Sequence, residues 1–138
     1  MSPHHHENDQ PSLTKNQALV FGALTAADGP LTAYAILDLL RADGFRAPLQ
    51  VYRALDKLLE FGMVHRLESL NAFLACRHPG CSSHDSAAFA ICETCGQVDE
   101  FTPDEAIALL KDWAVTSGFH LAKTTVELRG ECRSCTAG

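Results

Sequence analysis

Two C-x-x-C pairs constrain the fold of this 138-residue chain more than any other feature. They are Cys92–Cys95 and Cys132–Cys135, and 36 residues separate them. A two-residue spacer lets both sulfur atoms of a pair reach one ion while the backbone turns, and four thiolates complete the shell of a structural zinc. A single C-x-x-C is also typical of a redox dithiol, so redox pairs and plain buried cysteines stay open as alternatives. Two pairs around one folded segment favour a shared zinc site.

Length and composition indicate a water-soluble metalloprotein of one compact domain or two small ones. The chain is 46% hydrophobic and 20% charged, which is ordinary for a globular protein. No apolar run approaches the roughly 20 residues that span a bilayer, and the N-terminus lacks a signal-peptide pattern. We therefore expect a cytoplasmic protein with no membrane partner, whose six cysteines bind metal rather than form disulfides.

The charge distribution limits where a nucleic acid could bind. The net charge of −6 argues against a generally basic DNA-binding protein. Residues 11–68 carry six basic and six acidic side chains, whereas residues 69–138 carry five basic and nine acidic ones. A DNA-binding role therefore needs a local basic surface on the N-terminal half.

Three helices are predicted in the N-terminal half. Thr14-Lys15-Asn16-Gln17 has the form of a capping box, and the helix that it starts should end near Ala26. Thr32 can cap a second helix that runs to about Asp43. A third helix follows Pro48, with an apolar stripe at Val51, Leu55, Leu58 and Leu59. Another face of that helix is free to meet a partner through Gln50, Arg53 and Lys57.

Two β-prone segments, Val64–Leu67 and Ala72–Cys76, follow the third helix. Three helices and a β-hairpin are the elements of a winged helix-turn-helix domain. A small helical bundle with a hairpin that binds nothing is the alternative. The first ten residues are polar, and the histidines at 4–6 are either metal scavengers or incidental.

The C-terminal half is predicted to be a small β-α-β unit. Residues 77–86 have the composition of a loop and form a natural hinge, and 87–91 and 97–101 read as strands. Thr102 as N-cap with Pro103 at the first helical position predicts a helix to about residue 117. The alternation in Phe119–Arg129 then predicts a long strand that is free to pair with a second copy.

A second group of possible metal ligands lies between the halves. The set is His65, Cys76, His84 and Glu100. One thiolate, two imidazoles and a carboxylate make a mixed zinc site that would fix the orientation of the halves. The alternative is a polar His65, a buried apolar Cys76 and a solvated Glu100, because this spacing is not a motif.

Three motifs resemble the ferric uptake regulator (Fur) superfamily of metal-sensing bacterial repressors. They are Val51-Tyr52-Arg53-Ala54-Leu55, Cys92-x-x-Cys95-Gly96-x-Val98-x-Glu100-Phe101 and Val126-Glu127-Leu128-x-Gly130-x-Cys132-x-x-Cys135. The likeness runs over residues 12–135 and is strongest to the zinc uptake regulator (Zur) branch, through residues 64–76 and His84. It implies an α+β fold: an N-terminal winged helix-turn-helix and a small C-terminal α/β dimerisation domain with a four-cysteine zinc site. The implied boundaries are a tail at 1–11, the winged helix at 12–76, the hinge at 77–86 and the dimerisation domain at 87–138.

The resemblance also implies the roles of individual residues. His65, Cys76, His84 and Glu100 match the zinc-sensing ligands of the branch, and His78 or Cys81 is a substitute for His84. Tyr34 and Arg53 match positions that contact DNA. The chain would then hold two zinc ions, one structural and one regulatory.

The resemblance favours zinc over iron as the sensed metal. Iron- and peroxide-sensing relatives carry a His-His-Asp-His cluster just before the first C-x-x-C pair, and here those positions read Ser86-Ala87-Ala88-Phe89. Zn²⁺ suits a site with a cysteine, whereas Fe²⁺ sensing uses nitrogen and oxygen ligands.

The resulting hypothesis is a zinc-dependent repressor without enzymatic activity or small-molecule substrate. It would bind operator DNA as a homodimer and control zinc-uptake genes. Arg53 would read bases, while Arg46 and Lys57 would contact phosphates. Asp38 and Arg41 form either a contact between dimers or a local surface pair. The alternatives are an iron- or peroxide-sensing regulator of the same superfamily and a thiol oxidoreductase that uses Cys92 and Cys95.

Overall fold

The computed structural model describes residues 12–76 and 86–137. His78, Cys81, His84 and the histidines at 4–6 lie outside this described part of the chain. The helices are α1 (Lys15–Ala26), α2 (Ala33–Leu40), α3 (Pro48–Glu60), α4 (Asp104–Ser117) and α5 (Arg133–Ala137), with a 3₁₀ turn at Arg41–Asp43 after α2. The strands are β1 (Val64–Leu67), β2 (Ala72–Ala75), β3 (Ser86–Cys92), β4 (Val98–Phe101) and β5 (Thr124–Gly130).

The caps of the first two helices are formed as predicted. The Gln17 backbone N–H donates to Thr14 Oγ1 at 3.2 Å, and the Thr14 N–H donates to Gln17 Oε1 at 3.0 Å, which completes the capping box. Thr32 Oγ1 accepts from the Ala35 N–H at 3.1 Å. These contacts satisfy N–H groups that the first turn of a helix leaves without intrahelical partners.

The three helices and one face of the β1–β2 hairpin enclose the main core. The α3 stripe is buried as predicted at Val51, Leu55 and Leu58. It packs with side chains from α1, α2 and the hairpin, of which the largest contributions are Val20, Leu24, Ile36, Leu37, Val64 and Phe73. Helices at 3.6-residue periodicity and a hairpin at two-residue periodicity thus share one apolar interior.

The β1–β2 hairpin, called the wing below, buries both of its faces. Val64 pairs with Ala75 and Leu67 with Ala72 in an antiparallel ladder. Because side chains alternate along a strand, Val64 faces the helices, whereas Leu67 and Leu74 face away from them. These two leucines pack on Phe89 of β3 in a second, smaller cluster. The wing therefore joins the two halves of the protein.

The C-terminal sheet has the strand order β4-β3-β5. β3 pairs antiparallel with β4 and parallel with β5, so the chain from β3 through α4 to β5 includes the predicted crossover. β5 lies at an edge of this sheet. Within the part of the chain that the structure describes, no helix has the length and apolar character needed to span a bilayer.

Two predicted boundaries in this half were wrong. Thr102 is not the N-cap of α4: the helix begins at Asp104, because Pro103 has ψ of 75° and occupies the cap position itself. The last strand begins at Thr124 rather than Phe119, because its ladder with β3 starts where Ser86 pairs with Thr124. The short helix α5 was not predicted at all.

Candidate metal centre

The four cysteines are brought together by the parallel pair β3–β5. Its register ends with Cys92 opposite Gly130, so the two C-x-x-C segments leave the sheet side by side. The Glu93 N–H donates to the Gly130 carbonyl at 2.7 Å and extends this pairing into the first C-x-x-C turn. Strand register therefore determines which end of the sheet carries the sulfur atoms.

The first C-x-x-C turn is closed by a glycine. Gly96 has φ of +82°, a conformation that glycine adopts without the cost that a β-carbon brings. Its N–H donates to the Cys92 carbonyl at 2.9 Å, and the Cys92 N–H donates to the Gln97 carbonyl at 2.9 Å. This closure returns Cys95 to the side of Cys92.

The spacing of the four sulfur atoms fits one tetrahedral ion. Cys92 Sγ lies 3.7 Å from Cys135 Sγ, and Cys95 Sγ lies 3.7 Å from Cys132 Sγ. All four sulfur atoms lie within 4.8 Å of one another. Zn–S bonds of about 2.3 Å in a tetrahedron place neighbouring sulfur atoms about 3.8 Å apart. We call Cys92, Cys95, Cys132 and Cys135 the four-cysteine site.

The electrostatics of this site favour a bound cation. Cys92 Sγ accepts the backbone N–H groups of Cys95 at 3.4 Å and Cys132 at 3.3 Å, and these bonds lower the pKa of Cys92 to about 6. The neighbouring sulfur atoms of Cys132 and Cys92 raise the pKa of Cys135 to about 12. One thiolate is thus stabilised, and further thiolates need a positive charge among them. Cys92 is only 4% exposed, which disfavours a redox role that needs access to its thiolate.

Polar contacts connect the two C-x-x-C segments outside the sulfur cluster. Thr94 Oγ1 donates to Glu131 Oε2 at 3.1 Å, and Arg129 Nε lies 3.2 Å from Glu93 Oε2. Both pairs join the β3 end of the site to the β5 end. They hold the ligand loops in place without contributing ligands themselves.

A second group of donors joins the wing to the C-terminal sheet. His65 lies on β1, Cys76 directly follows β2, and Glu100 lies on β4. One ligand atom from each lies within 4.8 Å of the other two. His65 Nε2 is 3.4 Å from Glu100 Oε2, which is about the ligand–ligand distance around a tetrahedral zinc with bonds near 2.1 Å. We call these three residues the hinge site.

The hinge site is sheltered from solvent. The side chains of His65 and Glu100 are 14% and 11% exposed, so Glu100 is not the solvated acid of the alternative interpretation. A sheltered carboxylate needs a proton or a cation nearby. The His65 ring also packs edge-on against Phe89, with ring centroids 5.3 Å apart. One imidazole, one sulfur and one carboxylate are donors that fit Zn²⁺.

The remaining ligand of the hinge site is not defined by the described residues. His84, the predicted fourth ligand, and its substitutes His78 and Cys81 all lie outside them. Cys76 is disulfide-bonded in this structure, contrary to the expectation that the cysteines bind metal rather than form disulfides. Its sulfur is a zinc ligand only when reduced, because the thiolate is the metal-binding form.

The predicted DNA-binding residues lie on exposed surfaces. Arg53 and Lys57 are exposed on α3, Tyr34 is 63% exposed near the start of α2, and Arg46 is exposed just before α3. Gln50 is not free to meet a partner as predicted. Its Oε1 accepts two backbone N–H groups just before the helix, at 2.6 and 3.0 Å, and so caps α3.

Asp38 and Arg41 form the local surface pair that was one of their two predicted roles. Arg41 Nε lies 3.1 Å from Asp38 Oδ1, and both side chains are more than half exposed. An exposed i,i+3 pair of this kind stabilises a helix only slightly.

The sequence and the fold of this chain are similar to those of known proteins. The model of the Ferric uptake regulator family matches residues 23–129. The zinc uptake regulation protein of Escherichia coli (strain K12) is 39% identical over 124 residues, which cover 89% of this chain and 72% of that protein. Among solved structures, holo XcZur has a TM-score of 0.85 at 38% identity, covering 96% of this chain and 92% of its own. A zinc uptake regulator complexed with zinc and DNA has a TM-score of 0.84 at 34% identity, covering 95% and 87%.

Proposed function

Because the chain belongs to the ferric uptake regulator family, we propose that it is a zinc-responsive transcriptional repressor that acts as a homodimer. The observation that carries the proposal is the hinge site, whose donors come from both halves of the protein. Similarity to a zinc uptake regulator complexed with zinc and DNA supports both the metal and the nucleic-acid partner. Residues 12–76 would bind DNA, 77–86 would form the hinge, and 87–138 would hold the dimer.

The two metal sites have different tasks in this proposal. The four-cysteine site stabilises the C-terminal half, since its ligands tie the ends of β3 and β5 together. In the hinge site, His65 and Cys76 are the ligands from the wing, and Glu100 is the ligand from the C-terminal sheet. A bound zinc would supply the positive charge that these donors share. The chain would therefore hold two zinc ions. It would bind DNA in the orientation of the two halves that the filled hinge site stabilises.

The apolar residues left exposed on the C-terminal half support a homodimer. Helix α4 buries only Ile107 and Ala114 among its own residues. Its other large apolar side chains are exposed, and β5 and the segment before it add more: Leu109, Leu110, Trp113, Val115, Phe119, Leu121 and Leu128. Large apolar side chains left exposed along one helix and the strand that follows it are typical of protein interfaces. β5, at the sheet edge, can pair with a second copy of the chain.

The proposal predicts that zinc content and operator binding rise together. Protein that retains only the four-cysteine zinc after mild chelation should bind operator DNA weakly, and a second zinc per chain should restore tight binding. Metal analysis and fluorescence anisotropy with a labelled operator, under reducing conditions, measure the two quantities. Restoration by Fe²⁺ and not by Zn²⁺ would favour the iron-sensing alternative, and tight binding at every metal content would refute the proposed switch.

Arg53 and Lys57 should affect DNA binding differently. Arg53→Ala should weaken operator binding by about 1–3 kcal/mol and relax sequence preference at one base pair, because a guanidinium can read a guanine edge. Lys57→Ala should weaken binding to all sequences alike and lower its dependence on salt. Anisotropy titrations on operator and scrambled DNA at several salt concentrations separate the two effects. Equal losses on both DNAs for Arg53→Ala would contradict its role in base reading.

A further inference from the structure

One row of residues across the C-terminal sheet contacts the wing. Phe89 on β3 lies opposite Glu100 on β4 and opposite Glu127 on β5. Directly opposed residues in a sheet project from the same face, so all three face the wing. Glu100 meets His65, and Phe89 packs among the wing leucines. Glu127, at the edge of the row, also contacts residues that adjoin the wing.

Glu127 binds the turn at the end of the wing. Its Oε2 accepts the Glu68 backbone N–H at 2.7 Å, and its Oε1 accepts the Ser69 backbone N–H at 3.0 Å. The two donors are 59 and 58 residues away in sequence, and they belong to the other half of the protein. Both carboxylate oxygens are therefore engaged in hydrogen bonds of the charge-assisted kind, which are the stronger class.

The carboxylate of Glu127 is ionised when it makes these bonds. Partial burial by itself would raise the pKa of Glu127, but bonds from Ser69 and Glu68 and the nearby Arg129 guanidinium outweigh it and lower the pKa. The Glu68 carboxylate is paired within its own half of the protein, since its Oε1 lies 3.8 Å from Arg66 Nε. The contact is thus fully formed at neutral pH.

We propose that Glu127 is a positioning residue that docks the wing so that His65 and Cys76 face Glu100 before a metal binds. The inference rests on the proposed zinc-sensing function. Glu127 supplies no ligand, yet it stabilises the arrangement in which the hinge site is assembled. If a variant populates that arrangement less, its apparent zinc affinity falls by the same factor.

The test compares Glu127→Ala with Glu105→Ala in the full-length dimer. Glu105 is an exposed acid in the first turn of α4, so the control removes the same charge away from the wing. We expect Glu127→Ala to lower the affinity of the second zinc about 10-fold to 100-fold in competition with a chelator, and to leave the four-cysteine zinc bound. Glu127→Gln keeps one acceptor oxygen, so its affinity for the second zinc should fall less than that of Glu127→Ala.

Two further measurements separate positioning from a general loss of stability. Saturating zinc should return the operator affinity of Glu127→Ala to near the wild-type value, because excess metal repopulates the docked state. Small-angle X-ray scattering of protein with only the four-cysteine zinc should give a larger radius of gyration for Glu127→Ala than for wild type.

A zinc affinity of Glu127→Ala within twofold of the Glu105→Ala value would overturn the inference. If the wild-type protein binds a second zinc in the same experiment, the proposed function still stands. If the wild-type chain itself binds no second zinc, the proposed function fails, and this inference fails with it.

Discussion

Cys92→Ser is expected to release zinc from the four-cysteine site and to unfold the C-terminal half. The surroundings of Cys92 favour metal binding. The residue is buried, its Sγ accepts two backbone N–H groups, and that Sγ lies 3.7 Å from Cys135 Sγ. Structural zinc sites contribute about 10–16 kcal/mol, so loss of one ligand in four costs roughly 3 kcal/mol or more. A small half-domain has little more stability than that.

Zinc content per chain, near-UV circular dichroism and sedimentation velocity measure this effect. Ser134→Ala is the matched control, because Ser134 lies in the second C-x-x-C spacer and is exposed. The control should keep both zinc and dimer. A Cys92→Ser protein that stays soluble and dimeric with its zinc in place would show that the four cysteines do not form a structural site.

Cys76→Ser is expected to abolish zinc-dependent operator binding and to leave a folded dimer. Cys76 lies at the end of the wing, away from the four-cysteine site, so its loss removes one donor of the hinge site. A serine hydroxyl is a much poorer zinc ligand than a thiolate. At a fixed free zinc concentration, operator affinity should fall about 10-fold to 100-fold, toward the level of protein without the second zinc.

The measurement is operator anisotropy with free zinc held by a metal buffer and with Cys76 reduced in the wild type. His65→Gln should give the same phenotype from the opposite strand of the wing. His120→Gln removes an exposed histidine far from both sites in sequence and should behave as wild type. Unchanged operator affinity of Cys76→Ser at equal free zinc would remove Cys76 from the sensor.

The four-cysteine site and every helix and strand except α5 were predictable because their signals are local. A C-x-x-C spacer, a capping box and an apolar stripe each lie within one turn or one helix, where spacing determines geometry. The predicted α+β architecture with its crossover is confirmed. Thr102 shows the limit of such signals, since its sequence reads as a helix cap but the backbone at Pro103 is not yet helical.

Contacts between the halves were harder to predict because they depend on sheet register. His65 and Glu100 are 35 positions apart in the chain, and only the wing packing on β3 brings them within 3.4 Å. Glu127 was not singled out as a site residue. The alternation of apolar residues in the last strand places Val126 and Leu128 on one face, which puts Glu127 on the other. This alternation, combined with the fold, would have identified Glu127 as a residue that faces the wing.

Strand β3 contacts a different partner on each of its faces. Phe89 faces the wing, whereas Ala88 lines the cleft under α4 with Phe101 and Ile107. A substitution at Phe89 therefore disturbs the contact with the wing, whereas one at Ala88 disturbs the contact with α4. A one-codon insertion there disrupts both sets of contacts at once.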